Sequence, residues 1–193
     1  MRKKRLSIKK VILLVSILLV AAVLACVGYQ LTHMKESNTQ AKAVLSSMEN
    51  LIPGFNEPID ENAVTSGMGR DPLAALSIQG VDIVGCLEIP ALDLKAPVAA
   101  KEYDEPYFVS WVSGSPVKGK FRLIGGHEDV FLKLSKANPG DRVIFTDIDG
   151  VRYVYEVTTQ YHLKDWAEAT NDLLLCYPSD DKTDFVVGCT SVN

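Results

Sequence analysis

Residues 123–157 read LIGGHEDVFLKLSKANPGDRVIFTDIDGVRYVYEV, and the reading of this stretch decides the fold. Two runs rich in Val, Ile, Phe and Tyr, 142–145 and 151–157, flank Asp149-Gly150, the dipeptide favoured in two-residue hairpin turns. Pro139-Gly140-Asp141 marks a further turn just before the first run. Between the turn and Gly125-Gly126-His127, the segment VFLKLSKA (130–137) has room for a helical turn or two. His127 therefore follows a pair of glycines at the end of a strand-like run, where the backbone can turn sharply and expose the ring. A surface histidine in a turn fits the same residues.

Working outward, the runs VDIVGCLEIP (81–90), LDLKAPVAA (92–100) and FRLIGGH (121–127) lie upstream, and DLLLC (172–176) and DFVVGCTSV (184–192) downstream. Each is short, β-branched or aromatic, and bounded by turn residues; DWAEATN (165–171) is the other candidate for a helical turn. Seven or eight such strands between residues 75 and 193, with no internal repeat, predict an all-β barrel or sandwich.

The first third has a different texture. Residues 1–10 carry six basic side chains and no acid, and residues 11–31 are almost uninterrupted Val, Ile, Leu and Ala. That length matches the roughly 20 residues a helix needs to cross a bilayer. The basic flank predicts a cytoplasmic N-terminus and an extracytoplasmic body on a single-pass anchor in the cell membrane. A cleaved signal is the competing reading, although its apolar core is usually only about 7–15 residues. Val23-Leu24-Ala25-Cys26 also resembles a lipidation site, which would tether the chain through Cys26. Residues 32–74 are expected to be a stalk and linker. One amphipathic patch (Ala41, Val44, Leu45, Met48, Leu51) is stopped there by Pro53-Gly54, and the stretch beyond it has no period.

Net charge is −4 with the basic tail included, so the body is more acidic than the whole. This argues against nucleic acid as its partner. Four cysteines, one of them in the apolar segment, are too few for a disulfide framework. The histidines and cysteines lack ligand spacing, so no metal and no cofactor is expected. The acidic loop residues Asp147, Asp149, Asp180 and Asp181 leave calcium as a lesser alternative.

Nucleophilic chemistry would need a cysteine held as thiolate by a base or cation, together with an oxyanion donor. The candidates are Cys86, Cys176 and Cys189, with His33, His127 and His162; His33 and His162 are expected to be structural. GVDIVGCLEIPALDLKAPV, the stretch quoted first, and DLLLCYPSDDKTDFVVGC together resemble the sortases, cysteine transpeptidases of Gram-positive cell surfaces. The resemblance runs from about residue 78 to 193. It is most specific at Gly126-His127, Phe131, Leu134, Pro139-Gly140-Asp141 and the hairpin at Asp149-Gly150.

The resemblance implies an eight-stranded sortase-type β-barrel over residues 75–193, with short helices, preceded by the transmembrane helix. It places the histidine after the fourth strand, the cysteine at the end of the seventh and an arginine at the start of the eighth. It also implies attack on the Thr–Gly bond of an LPXTG-like sorting signal, with an amine of peptidoglycan or of a pilin resolving the thioester. His127 matches the family histidine. For the cysteine, Asp172-Leu173-Leu174-Leu175-Cys176 leaves one further strand to complete the barrel. With Cys189 as nucleophile that strand would be missing and an edge left unpaired. Cys176 is therefore the expected nucleophile and Cys189 the alternative, which has in its favour a separation from His127 nearer to that usual in the family. Cys86, and Cys189 if it is not the nucleophile, read as small hydrophobes.

One departure is chemical. Asp184 stands where the family has its arginine, and no arginine lies between Cys176 and the end of the chain. A carboxylate there disfavours a thiolate. Asp184 or Asp129 would orient the imidazole, Lys182 or Arg122 would replace the missing positive charge, or the site is degenerate and the barrel binds a peptide without cleaving it; the sequence leaves all three open.

Overall fold

Alternation along the strands determines which side chains face inward. The computed structural model describes residues 8–58, 64–65, 67–103, 105–125, 130–164, 169–177 and 183–192. It falls into two units, Met1–Ser37 and Asn38–Asn193. One helix, α1 (Ile8–Leu51), contributes to both, and is followed by β1 (Leu76–Ile78), β2 (Val81–Ile89), β3 (Leu94–Ala99), β4 (Val109–Ser115), β5 (Gly119–Gly125), β6 (Arg142–Asp147), β7 (Arg152–Leu163), β8 (Leu173–Tyr177) and β9 (Asp184–Ser191).

In the first unit, the apolar side chains of α1 are exposed: Val11 by 45%, Leu18 by 67% and Leu24 by 66%. The helix is long and apolar enough to cross a membrane, and this exposure suits lipid as surroundings.

In the second unit, the sheet order is β1-β2-β3-β4-β5-β8-β9-β7-β6, and a pairing of β2 with β6 closes β2 to β9 into an eight-stranded barrel. Short β1 lies outside the ring, paired only with β2. Closure removes the exposed edges an open sheet would carry. Leu87, Phe121, Leu123, Phe145, Leu175 and Val187 are fully buried in the interior. Phe145 sits edge-to-face on Phe121, centroids 4.9 Å apart.

The hairpin around Asp149-Gly150 forms between β6 and β7, with Gly150 at φ 84°. Its turn is held by Asp147, whose carboxylate accepts from Asp149 N (3.0 Å), Val151 N (2.9 Å) and Tyr153 OH (3.2 Å). Burial raises the pKa of that carboxyl. Two elements were not foreseen: β1, and β4, whose Trp-Val-Ser-Gly texture lacks a clear alternation. VFLKLSKA gives a 3-10 turn at Leu132–Lys136. In DWAEATN, residues 165–168 lie outside the described residues and 169–171 are not helical.

The segment expected as stalk and linker is largely part of the folded unit. Ala41, Val44, Met48, Ile52 and Phe55 pack against Ile83, Cys86 and Phe108 on the outside of the barrel. The helical patch thus has a partner; Leu51, at its edge, remains 57% exposed. Arg152 donates to the carbonyls of Gly54 and Glu57 (2.9 Å to the latter). Thr65 N donates to Val192 O at 3.0 Å. Buried Leu73 joins the barrel interior. A stretch without periodicity can still be fixed through its backbone.

Candidate functional site

β8 leaves Leu173 and Leu175 in the barrel interior and turns Leu174 and Cys176 outward, where Cys176 packs with Ala169, Val186, Ile124, Tyr161 and Leu163. β5 runs parallel to β8 with Arg122 abreast of Leu174 and Ile124 abreast of Cys176. β9 runs antiparallel on the other side, with Val186 abreast of Cys176. Alternation puts Asp184, two residues before Val186, on the same face. Thus Arg122, Cys176 and Asp184 share the outer face of one three-stranded wall. Cys189 does not, because it is buried in the barrel interior with Val187 and Leu173.

The connection from β7 to β8 must cross β9, since β9 lies between them in the sheet. Its described residues cover the wall. Asn171 lies over Gly188, where a side chain would collide with its amide. The Asn171 Oδ1 accepts from Tyr161 OH at 2.9 Å. Arg122 ties the connection down: Nη1 donates to Phe121 O (3.2 Å) and Asn171 O (3.1 Å), and Nη2 to Ala169 O (3.0 Å). Arg122 is 5% exposed and Cys176 is fully buried.

Burial pushes the Cys176 thiol up to about 12; the Asp184 carboxylate adds to this, and the Arg122 guanidinium opposes it. Burial in turn lowers the pKa of Arg122, against the fields of Cys176, Tyr161 and Asp172. Cys189 and Cys86 are raised chiefly by burial. In this closed arrangement burial keeps Cys176 a neutral thiol at physiological pH, and two opposed charges modulate it. Replacing Asp184 with Asn removes the unfavourable one. Alkylation of Cys176 by iodoacetamide, followed by mass spectrometry of its peptide, is expected to accelerate roughly threefold to tenfold at pH 8, with the pH profile displaced downward.

Of the other expected site residues, His127, Asp129 and Lys182 lie outside the described residues, as do Asp180 and Asp181. The strand ends leading to them flank the end of β8: Gly125 closes β5 one residue beyond Ile124, and Asp184 opens β9 two residues before Val186. Beyond the loop, the Phe131 ring lies directly over Gly125, where a Cβ would overlap it. His162 is exposed on β7 and faces Phe185 at 5.4 Å between centroids, on the strand face opposite to Tyr161. Cys26 is exposed on α1. Among the described residues, no three or more His, Cys, Asp or Glu side chains gather in a way that could hold a metal ion.

Tyr161 and Asn171 carried no signal in the sequence. Arg122 did: it interrupts an apolar strand at an outward position two residues before Ile124.

The sortase-domain family model matches residues 87–191. Sortase A from Corynebacterium diphtheriae is 14% identical and superposes with a TM-score of 0.51 over 89% of this chain and 96% of its own. Sortase C1 from Streptococcus agalactiae, in its type II crystal structure, is 15% identical with a TM-score of 0.51 over 84% and 91%. At such identity these likenesses concern the fold. No curated protein sequence matches the chain.

Proposed function

Because the chain belongs to the sortase family, we propose that it is a membrane-anchored cysteine transpeptidase with Cys176 as nucleophile and His127 as general acid and base. The observation that carries this reading is the outward position of Cys176 on β8, abreast of the end of β5 that leads into His127. Only Gly126 stands between Gly125 and His127 in the chain. An interior thiol, as at Cys189, offers a peptide no such approach.

In this reading, the Cys176 thiolate attacks the Thr carbonyl carbon of an LPXTG-like sorting signal. The tetrahedral oxyanion collapses, the Thr–Gly C–N bond breaks, and His127 protonates the departing glycine amine. An incoming amine, deprotonated by His127, then attacks the thioester and releases Cys176. Asp129 or Asp184 orients the imidazole, and Lys182 adds positive charge. The partners are the sorting signal of a secreted surface protein and an amine of Gram-positive cell wall or of a pilin. The basic tail stays cytoplasmic and the barrel faces outward.

A second reading is favoured by Asp184 and by the closed cover over Cys176: a catalytically degenerate barrel that binds an extended peptide or a surface-protein partner. The full chain in detergent, mixed with LPXTG-like peptides and triglycine, distinguishes them. A product of peptide-Thr-triglycine mass supports the transpeptidase, whereas saturable binding with the peptide left intact supports the binding protein.

A further inference from the structure

We infer that Arg122 is the positioning residue of the Cys176 site, standing on β5 in place of the arginine that the family resemblance leads one to expect on β9. This rests on the reading of Cys176 as nucleophile. Three observations converge. Parallel pairing places Arg122 and Cys176 on one face of adjacent strands, two residues out of register. Arg122 is 5% exposed, among the apolar side chains of Ile124, Leu174 and Val186. All its hydrogen bonds among the described residues go to neutral backbone carbonyls, those of Phe121, Ala169 and Asn171.

A charge buried without a paired carboxylate costs more than an apolar side chain of the same volume. The field of Asp172 reaches Arg122, and that of Arg122 falls on Cys176, opposite in effect to Asp184. The forked bonds to Ala169 and Asn171 also fix the backbone that covers the thiol. Arg122 thus acts on the reaction through Cys176, favouring the thiolate and holding the segment beside it, without touching the substrate.

The test needs no peptide, so it is independent of whether a sorting signal is cleaved. The rate of Cys176 alkylation by iodoacetamide is followed against pH in the full chain in detergent, for the native protein, Arg122→Lys and Arg122→Gln, each checked for folding by circular dichroism. Gln retains a donor for one carbonyl but no charge. The expected result is roughly tenfold slower labelling at pH 8 in Arg122→Gln, with Arg122→Lys within about threefold of native. Equal losses in both variants would mean that Arg122 only holds the connection, and would overturn the inference. Should Arg122→Gln fail to fold, Arg122→Lys decides alone. Lysine keeps the charge and cannot remake the fork, so a near-native profile supports the inference and a folded variant with a lost profile refutes it.

Discussion

Cys176→Ala is expected to abolish the thioacyl adduct and the transpeptidation product, a loss of at least about 10⁴ in turnover, because no other group can form the covalent intermediate. Cys189→Ala is expected to retain the adduct. Cys189 is fully buried, abreast of Leu173 and among the apolar side chains of the barrel interior. Removing its sulfur leaves a small void and costs about 1–2 kcal/mol of stability. For Cys189 to act as nucleophile, a thiolate would have to form inside the barrel, where burial raises its pKa. Intact mass of each variant after incubation with peptide reads the outcome directly. An adduct lost in Cys189→Ala and kept in Cys176→Ala would mean that β8 and β9 exchange their faces on substrate binding. It would also remove the basis for the Arg122 inference.

The strands were legible because they are locally marked, while the choice of barrel over sandwich came with the family resemblance: Asp149-Gly150 and Pro139-Gly140-Asp141 bound runs that alternate, and β6 and β7 form where those marks lie. β4 escaped because Ser110, Ser113 and Gly114 break its pattern, and it is held by pairing with β3 and β5. The docking of α1 was half legible. Ala41, Val44 and Met48 declare an apolar face, but the surface that receives it is assembled from Ile83 and Cys86 on β2 and from Phe108 just before β4. That Cys176 and Leu175 lie on opposite faces follows from the strand alone. What alternation could not supply is the parallel pairing of β5 with β8, which joins residues about 50 apart in sequence and brings Arg122 onto the same wall. Nor does anything local say that the β7 to β8 connection crosses that wall and buries the thiol. That follows from β9 being inserted between two strands that precede it in the chain.

Gly85→Ala is expected to lower stability by about 3 kcal/mol, although the substitution adds one methyl group. Gly85 lies on β2 at the seam, abreast of Val98 on β3 and Asp147 on β6, where the barrel closes. A Cβ there would overlap the carbonyl oxygen of Thr146 and lie 2.7 Å from the Phe145 ring. Neither neighbour has room to yield. The carbonyl belongs to the β6 backbone that forms the seam, and Phe145 is wedged between Phe121 at 4.9 Å and Tyr153 at 6.0 Å between centroids. The midpoint of thermal unfolding should fall by about 6–12 °C for a unit of this size. Pairing Gly85→Ala with Phe145→Leu separates the two clashes. Leucine relieves the ring contact and leaves the carbonyl overlap, so the double variant should recover little of the loss and should add the cost of a smaller core residue. Substantial recovery would show that β2 and β6 can part by the roughly 1 Å needed to admit the methyl group, and that the ring, not the seam, requires glycine.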